Sequence, residues 1–494
     1  MSDEREARLE KLDALRAAGI EPYPTTTERT ITAADALARY DELQGQTITV
    51  AGRLMAMREM GGSNFAHIED GSGRIQLYFK RNELGPEVFG HLKLLDLGDF
   101  VEASGTFFTT RTGERTLHVT RFRPLAKALR PLPAKGVGGE LKLTEPETRH
   151  RKRYLDLLAN RETVLPVFVA RAKVLAATRE FLDARGFVEV ETPILQPLYG
   201  GATARPFVTH HNTLDRDLYL RIAPELYLKR LIAGGMERVY EIARNFRNEG
   251  IDREHNPEFT MLEFYQAYAD YQDVMRIVED LYAHAALRAL GGTALTYLGV
   301  PLDLAPPWRR MTLRAAIHEF TGIDYEQHPD REQLAAVMRE HGYSVDPRLG
   351  RGKLIDDLKD SIIRGESAKI KEPLFLYDYP QEISPLAKQK PGTPGVVERF
   401  QAFAGGLELG NAFTELNNPL EQRARFEEQA GLRARGDDEA QVLDEDYIEA
   451  LEMGMPPTGG YGGGIDRLTM LLTNQSTIRE VILFPTMRAE AHEP

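Results

Sequence analysis

Arg247 and Glu249 stand two apart in the run Arg244-Asn245-Phe246-Arg247-Asn248-Glu249, and His255-Asn256-Pro257-Glu258-Phe259 follows after a short polar stretch. In extended chain that spacing turns both charged side chains to one side. A guanidinium there offers a planar pair of charge-assisted hydrogen bonds, which suits a carboxylate or a phosphate. Beyond the loop, Phe259, Met261, Glu263 and Tyr265 alternate onto one face of a second expected strand. A single carboxylate on such a face is costly to bury without a cationic partner. A surface hairpin rich in ion pairs is the competing reading of the segment.

Two further segments carry glycine in telling places. Gly459-Gly460-Tyr461-Gly462-Gly463-Gly464 leads into Ile465-Asp466-Arg467-Leu468. It reads as a glycine-rich turn that lets backbone approach a ligand, with Arg467 in the first turn of a helix. It is neither a Walker A loop nor a Gly-x-Gly-x-x-Gly unit with an acidic residue at the right distance. Gly186-Phe187-Val188-Glu189-Val190-Glu191-Thr192-Pro193 is a helix-to-strand transition. None of the three segments is specific alone.

The elements that must hold these residues are legible in outline. A chain of 494 residues exceeds one core, since single cores rarely pass about 250–300 residues. Residues 1–45 read as a helical arm, with Leu9, Leu12 and Leu15 at helical spacing and Gly19 able to end the run. Residues 46–130 change to short β runs: Thr47–Leu54, Phe65–Glu69, Arg74–Lys80, Phe100–Phe107 and Thr116–Phe122. Five such strands with one interruption, Asn82 to Asp99, suit an oligonucleotide-binding barrel, an unrelated small barrel being the alternative. Residues 131–153 form an expected linker, proline- and glycine-rich from Pro131 to Gly139. The remainder, 154–494, begins with a long helix from Val164 to Arg185. Helices are also expected near Pro224–Ala233, Gln272–Leu290 and Leu354–Ile363.

Charge and composition narrow the classes. The net charge is −13, yet Gln46 to Arg153 holds 18 Lys+Arg against 12 Asp+Glu, leaving −19 for the rest. A basic module on an acidic body is compatible with a polyanion bound at one end, although a chance surface fluctuation would look the same. The absence of cysteine excludes disulfides and thiolate chemistry and fits a reducing cytoplasm. No apolar run has membrane-spanning length, and the charged N-terminus does not read as a secretory signal.

In their order, the three segments resemble motifs 1, 2 and 3 of the class II aminoacyl-tRNA synthetases. Gly200–Phe207, Ile222–Tyr227, His255–Phe264 and Asn411–Asn417 resemble the lysine-specific branch rather than its aspartyl and asparaginyl relatives. The resemblance runs from about Thr47 to Arg488. It implies an α+β fold: an antiparallel-sheet catalytic domain, here with a helical insertion at about 322–370, preceded by an anticodon-binding barrel. It further implies a homodimer with Pro193 near the two-fold axis, and the substrates ATP, L-lysine and tRNA(Lys). Arg247 and Arg467 are the implied catalytic residues. Glu249, His255, Asn256, Phe259 and Glu408 join them around ATP, with adenine between Phe259 and Arg467. For lysine the resemblance implies Gly201 and Glu225 at the α-amino group, Asn411 and Arg247 at the carboxylate, Phe413 along the stem, and Glu263, Tyr265 and Glu415 at the ε-ammonium. Arg53, Phe65, Gln76 and Glu114 are implied at the anticodon; for Phe65 a place in the barrel core is the competing reading.

One position departs from the family's pattern. Magnesium is held there by two glutamates, matched here by Gln401 and Glu408. An amide still offers a neutral oxygen, but a hard cation prefers carboxylate charge, so Glu408 would carry more of that site. The same residues admit three rival readings: an aspartyl or asparaginyl enzyme, a paralogue that lysylates protein, and an inactive homologue that binds tRNA or regulates. The insertion carries no expected chemistry.

Overall fold

The computed structural model describes residues 2–133, 141–364, 368–434 and 442–489. Of the expected linker at 131–153, residues 134–140 lie outside them, and Pro146–Arg151 is a short helix. The chain divides into two compact units, Met1–Leu143 and Thr144–Pro494.

The first unit begins with helices α1 (Ser2–Ala17) and α2 (Ala33–Ala38), the second capped by the Thr32 side chain on the Asp35 amide. Strands β1 (Ile48–Met60), β2 (Ser63–Glu69), β3 (Arg74–Lys80), β4 (Phe100–Thr109) and β5 (Arg115–Ala126) close into a barrel in the order β1-β2-β3-β5-β4. β1 is longer than the sequence pattern suggests. Ile48–Arg53 pairs with β4 and Arg53–Met60 with β2, with an irregularity between Leu54 and Ala56. One strand shared between two neighbours is how so few strands close. Alternate residues, including Val50, Leu54, Ala66, Ile68, Ile75 and Leu77, fill the interior.

The second unit is built on an eight-stranded sheet. In chain order its strands are β6 (Val188–Glu189), β7 (Arg238–Phe246), β8 (Glu258–Ala267), β9 (Arg309–Thr312), β10 (Leu374–Pro380), β11 (Val396–Ala404), β12 (Leu407–Thr414) and β13 (Thr458–Gly464). Their spatial order is β9-β10-β11-β12-β13-β8-β7-β6. The pairings are antiparallel except at the edges, β6 with β7 and β9 with β10. The helices that matter for the site are α3 (Arg161–Asp183), α4 (Glu225–Ala233), α5 (Tyr271–Leu290), α6 (Arg351–Ile363), α7 (Glu445–Glu452) and α8 (Ile465–Leu472).

Period-two alternation gives this sheet two different faces. Tyr240, Leu262, Phe264, Phe400, Ala402, Ala412 and Tyr461 point into an apolar core with α3, α5 and α8. The residues between them face the other way and form the floor of a cavity. α6, in the expected insertion, packs in a separate cluster with Leu374, Leu376 and Tyr379 of β10.

The glycine run is not the expected turn. It is β13, an inner strand between β12 and β8. Its glycines answer crowding on both faces: a Cβ on Gly463 or on its partner Gly410 would stand 2.2 Å from the Tyr461 hydroxyl, and one on Gly460 2.0 Å from Glu415. The Tyr461 hydroxyl is buried and hydrogen-bonded to that of Tyr282, so it has little room to yield. Gly463→Ala is therefore expected to cost about 1–3 kcal/mol of unfolding free energy. Urea unfolding followed by circular dichroism would show it; a midpoint equal to that of the wild type would remove the packing account.

Candidate active site

Sheet register sets the site's geometry. Glu241 on β7, Glu263 on β8, Gly462 on β13, Asn411 on β12 and Gln401 on β11 lie opposite one another in a single row across five strands. The next row carries Tyr265, Gly460, Phe413 and Arg399. The glycines sit in the middle of both rows, where side chains would otherwise fill the space. A register shift between Ala402 and Phe403 brings Glu408 beside Gln401, since a bulge reverses the in-out parity of the residues beyond it.

Above these rows is a cavity of about 590 Å³. Gly201, Glu225, Arg247, Glu249, His255, Asn256, Phe259, Glu263, Tyr265, Gln401, Glu408, Asn411, Phe413, Glu415 and Arg467 all line it. The residues singled out in distant stretches of the sequence thus converge on one space. The surface-hairpin reading of Arg244–Tyr265 does not hold at Arg247, Glu263 and Tyr265, which line that cavity. Exposed pairs of that kind are Arg244 with Glu258 and His255 with Asp252.

One end of the cavity is basic. Arg247 lies over the Phe259 ring at 5.1 Å, and its Nε is buried without a hydrogen-bond partner among the described residues. Burial lowers its pKa, with Glu249 and Glu263 opposing. Arg467 donates to the Glu408 carbonyl oxygen at 2.9 Å and meets His255 Nε2 at 2.9 Å. His255 Nδ1 is turned to Asp252 at 2.8 Å, so the ring accepts from Arg467 and donates to the carboxylate. The helix that carries Arg467 is pinned by Asp466, which accepts from the Thr260 amide at 2.7 Å and pairs with Arg171. Asn256 is buried, and its amide nitrogen donates to the Glu258 carbonyl oxygen.

The other end is acidic. Glu225, Glu263 and Glu415 are all buried. Gly201, at φ +84°, packs so tightly on Glu225 that a Cβ would lie 2.7 Å from that side chain. The Tyr265 hydroxyl donates to Glu263 at 3.2 Å. Burial raises the Glu263 carboxyl well above its usual range, with the neighbouring Glu225 charge adding to it. Burial likewise pushes Glu415 up to about 8, against the attraction of Lys229. Glu415 Oε1 is buried with no hydrogen-bond partner among the described residues. Asn411 accepts from Arg399 Nε at 2.8 Å, which turns its amide group away from that guanidinium as a donor.

The magnesium expectation fares differently. Gln401 Oε1 accepts from the Tyr379 hydroxyl at 2.7 Å, and its Nε2 donates to Glu408 Oε1 at 2.7 Å. The amide oxygen offered to a cation is thus already engaged, and a donor faces the carboxylate instead. The other Glu408 oxygen pairs with Arg364. Burial would raise Glu408, but Arg364 and Arg467 hold it below the usual carboxylate range. Among the described residues no group of three His, Cys, Asp or Glu could hold a metal. These residues do not fit a protein-held magnesium ion.

Three polar partners escaped the sequence reading. Lys229 was readable as an i,i+4 partner of Glu225 on a helix. Arg399 lies two residues before Gln401 on the same strand face. Arg364, directly after α6, comes from the insertion to which no chemistry was assigned, and nothing local in the sequence connects it to Glu408.

In the first unit, Phe65 is not among the core residues; it stands on the outer side of the barrel, 4.8 Å from the Tyr78 ring, and Tyr78 in turn contacts Phe108 and His118. Gln76 donates to Glu114 at 2.7 Å, and His67 joins them. Arg53 is held apart from this group, donating to the Gly98 carbonyl oxygen and lying over the Phe100 ring. Pro193 is exposed in the stretch after β6, close in sequence to the exposed Val188, Ile194, Leu195 and Leu198.

Residues 145–488 match the family described as class II tRNA synthetases (D, K and N), and residues 48–125 match the OB-fold nucleic acid binding domain. The chain is 53% identical to a lysine–tRNA ligase of Roseiflexus castenholzii over 99% of both chains. It is 51% identical to those of Carboxydothermus hydrogenoformans, over 97% of both, and Chloroflexus aurantiacus, over 100% of both. A shared sequence of this extent, on a sheet whose rows assemble one charged cavity, means that the chain belongs to the lysine–tRNA ligase family of class II tRNA synthetases.

Proposed function

We propose that this chain activates L-lysine with ATP and transfers it to tRNA(Lys). The observation that carries the reading is a pair of orphaned buried atoms in one cavity, the Arg247 Nε donor and the Glu415 Oε1 acceptor. A buried donor and a buried acceptor left unpaired call for a ligand with an anionic and a cationic end. Lysine with the α-phosphate of ATP is such a ligand.

In this reading the lysine carboxylate attacks the α-phosphorus, the bond to the β-phosphate oxygen breaks, and pyrophosphate leaves from lysyl-adenylate. The terminal adenosine hydroxyl of the tRNA then attacks the acyl carbon and releases AMP. Both steps need alignment and charge neutralisation rather than a protein nucleophile. Arg247 spans the carboxylate and α-phosphate, His255 faces the outer phosphates, and adenine lies between Phe259 and Arg467 with Glu249 at its amino group. Asn256 helps shape that ATP end. Glu225 and Gly201 take the α-ammonium, Asn411 the carboxylate, Phe413 the stem, and Glu263, Tyr265 and Glu415 the ε-ammonium. The family uses ATP and generally Mg2+. Here the metal enters with the ATP phosphates, because Glu408 is already shared between Gln401 and Arg364. Phe65 and Tyr78 stack anticodon bases, with Gln76 and Glu114 at their edges; Arg53 acts there only if it leaves Phe100. The exposed apolar side chains around Pro193 support a homodimer contact. Among the described residues no helix is long and apolar enough to cross a membrane; a cytoplasmic setting completes the proposal. A pocket of carboxylates does not suit aspartate, and the complete set of ATP-facing groups does not suit an inactive homologue.

Amino-acid-dependent ATP–pyrophosphate exchange tests the reading. Exchange is expected with lysine and not with aspartate or asparagine. Glu415→Gln should lower kcat/KM for lysine at least about a hundredfold, since breaking a buried pair costs about 3–5 kcal/mol. Exchange driven by aspartate, or an unchanged kcat/KM in Glu415→Gln, would sink the assignment.

The raised Glu415 carboxyl adds a pH signature. Below about pH 8 the folded protein holds a proton there, and an ammonium must displace it. The KM for lysine should therefore fall about tenfold or more from about pH 6.5 to about 8.5, while the KM for ATP does not follow it. The same shift means that stability of the ligand-free protein declines as pH rises between the unfolded carboxyl value and about 8. A flat lysine KM over this range would contradict the raised carboxyl.

For the barrel, Phe65→Ala should raise the KM for tRNA in aminoacylation about tenfold, as expected when roughly 1–3 kcal/mol of stacking is lost. Exchange, which needs no tRNA, should keep its rate; an unchanged tRNA KM would place Phe65 outside the contact.

A further inference from the structure

Lys229 has no part in the proposed function, although it touches residues that do. It projects from α4 one turn after Glu225, and its side chain is 0% exposed. Its Nζ lies 2.5 Å from Glu225 Oε1 and pairs on its other side with Glu415 Oε2. The Phe413 and Tyr265 rings stand 5.3 and 5.9 Å from it. Tyr447 of α7 is buried and lies near enough to act on the same group electrostatically. Arg230, its chain neighbour, is turned away to Asp444. Lys229 is thus a resident ammonium between two carboxylates and two aromatic rings, with Glu263 next in line through Tyr265.

Three buried carboxylates in one pocket repel each other, and in a dry site one or more would stay protonated. We propose that Lys229 is a positioning residue that sets the charge of this pocket: with it, the three carboxylates sum to minus two, matching the two ammonium groups of free lysine. One carboxylate pairs with Lys229 at all times. The other negative charges become available when a doubly cationic amino acid enters, and a proton stands in for it in the empty pocket. A pocket set in this way favours diamino acids over neutral isosteres of the same length. The inference rests on the proposed lysine activation and adds a resident counter-ion to it.

The test is the pH profile of the KM for lysine in ATP–pyrophosphate exchange, using the full chain as wild type, Lys229→Met and Lys229→Gln. Both variants remove the charge, and Gln keeps a hydrogen-bond donor of similar reach, so folding does not hang on one substitution. Thermal unfolding and a KM for ATP within about threefold of wild type certify the fold and the ATP end. The break in the lysine profile is expected to move upward by about one pH unit or more, with a matching tenfold or larger rise in KM below it. Lys229→Arg, which restores the charge, is expected to bring the break back. A folded Met or Gln variant whose break has not moved would overturn the inference and leave Lys229 as packing. Absence of lysine-dependent exchange in the wild-type protein would overturn the proposed function itself, and the inference with it.

Discussion

A carboxylate taken out of water must find a positive charge or a proton, and this sheet buries several on one face. Glu241 meets Arg221 at 2.5 Å, Glu408 meets Arg364, and Glu225 and Glu415 share Lys229. Glu263 has a tyrosine hydroxyl and, among the described residues, no salt-bridge partner, Arg247 acting on it only from a distance. That unequal pairing separates scaffolding from ligand sites. Where the counter-charge is matched one to one, as at Glu241, the group is part of the frame; Glu225 and Glu415 have one lysine between them and are short of a positive charge. Where it is missing, the burial has a cost of several kcal/mol per ion that a bound cation can offset.

The apolar face makes this possible. Tyr240, Phe264, Phe400 and Tyr461 pack against α3, α5 and α8, which fixes the strands from behind and leaves the front free of structural duty. Two rows of polar residues can then be held at strand spacing with little freedom to relax. Such preorganisation is what a reaction without a protein nucleophile requires, since its catalysis is mostly alignment and charge placement.

Much of this was legible in the sequence because strands write their faces at period two. Phe259, Met261, Glu263 and Tyr265, or Asn411, Phe413 and Glu415, announce a shared face without any structure, and the barrel strands were found to within a few residues at most ends. β13 was misread because glycine signals a turn when only local propensity is weighed; the crowding by Tyr461, Glu415 and Tyr265 that selects glycine there is tertiary. Arg364 and Gln401 show the same limit. Their partners lie across strands or in a distant insertion, and the direction of an amide, with Gln401 donating to Glu408 rather than offering it a shared cation, is set by Tyr379 on a neighbouring strand. The lysine-pocket residues themselves were reached through family resemblance, not through spacing alone.

The row that runs from Glu241 through Glu263, Gly462 and Asn411 to Gln401 has a consequence for the whole population of molecules. Slipping any of the inner strands by one residue would exchange its two faces, driving carboxylates into the apolar core and aromatic rings into the cavity. No graded series of slightly mis-set sites therefore lies near the native one. A molecule of this protein either has its full constellation or has lost the sheet that carries it, so the fraction of intact sites in a sample and the fraction of folded catalytic units are one quantity.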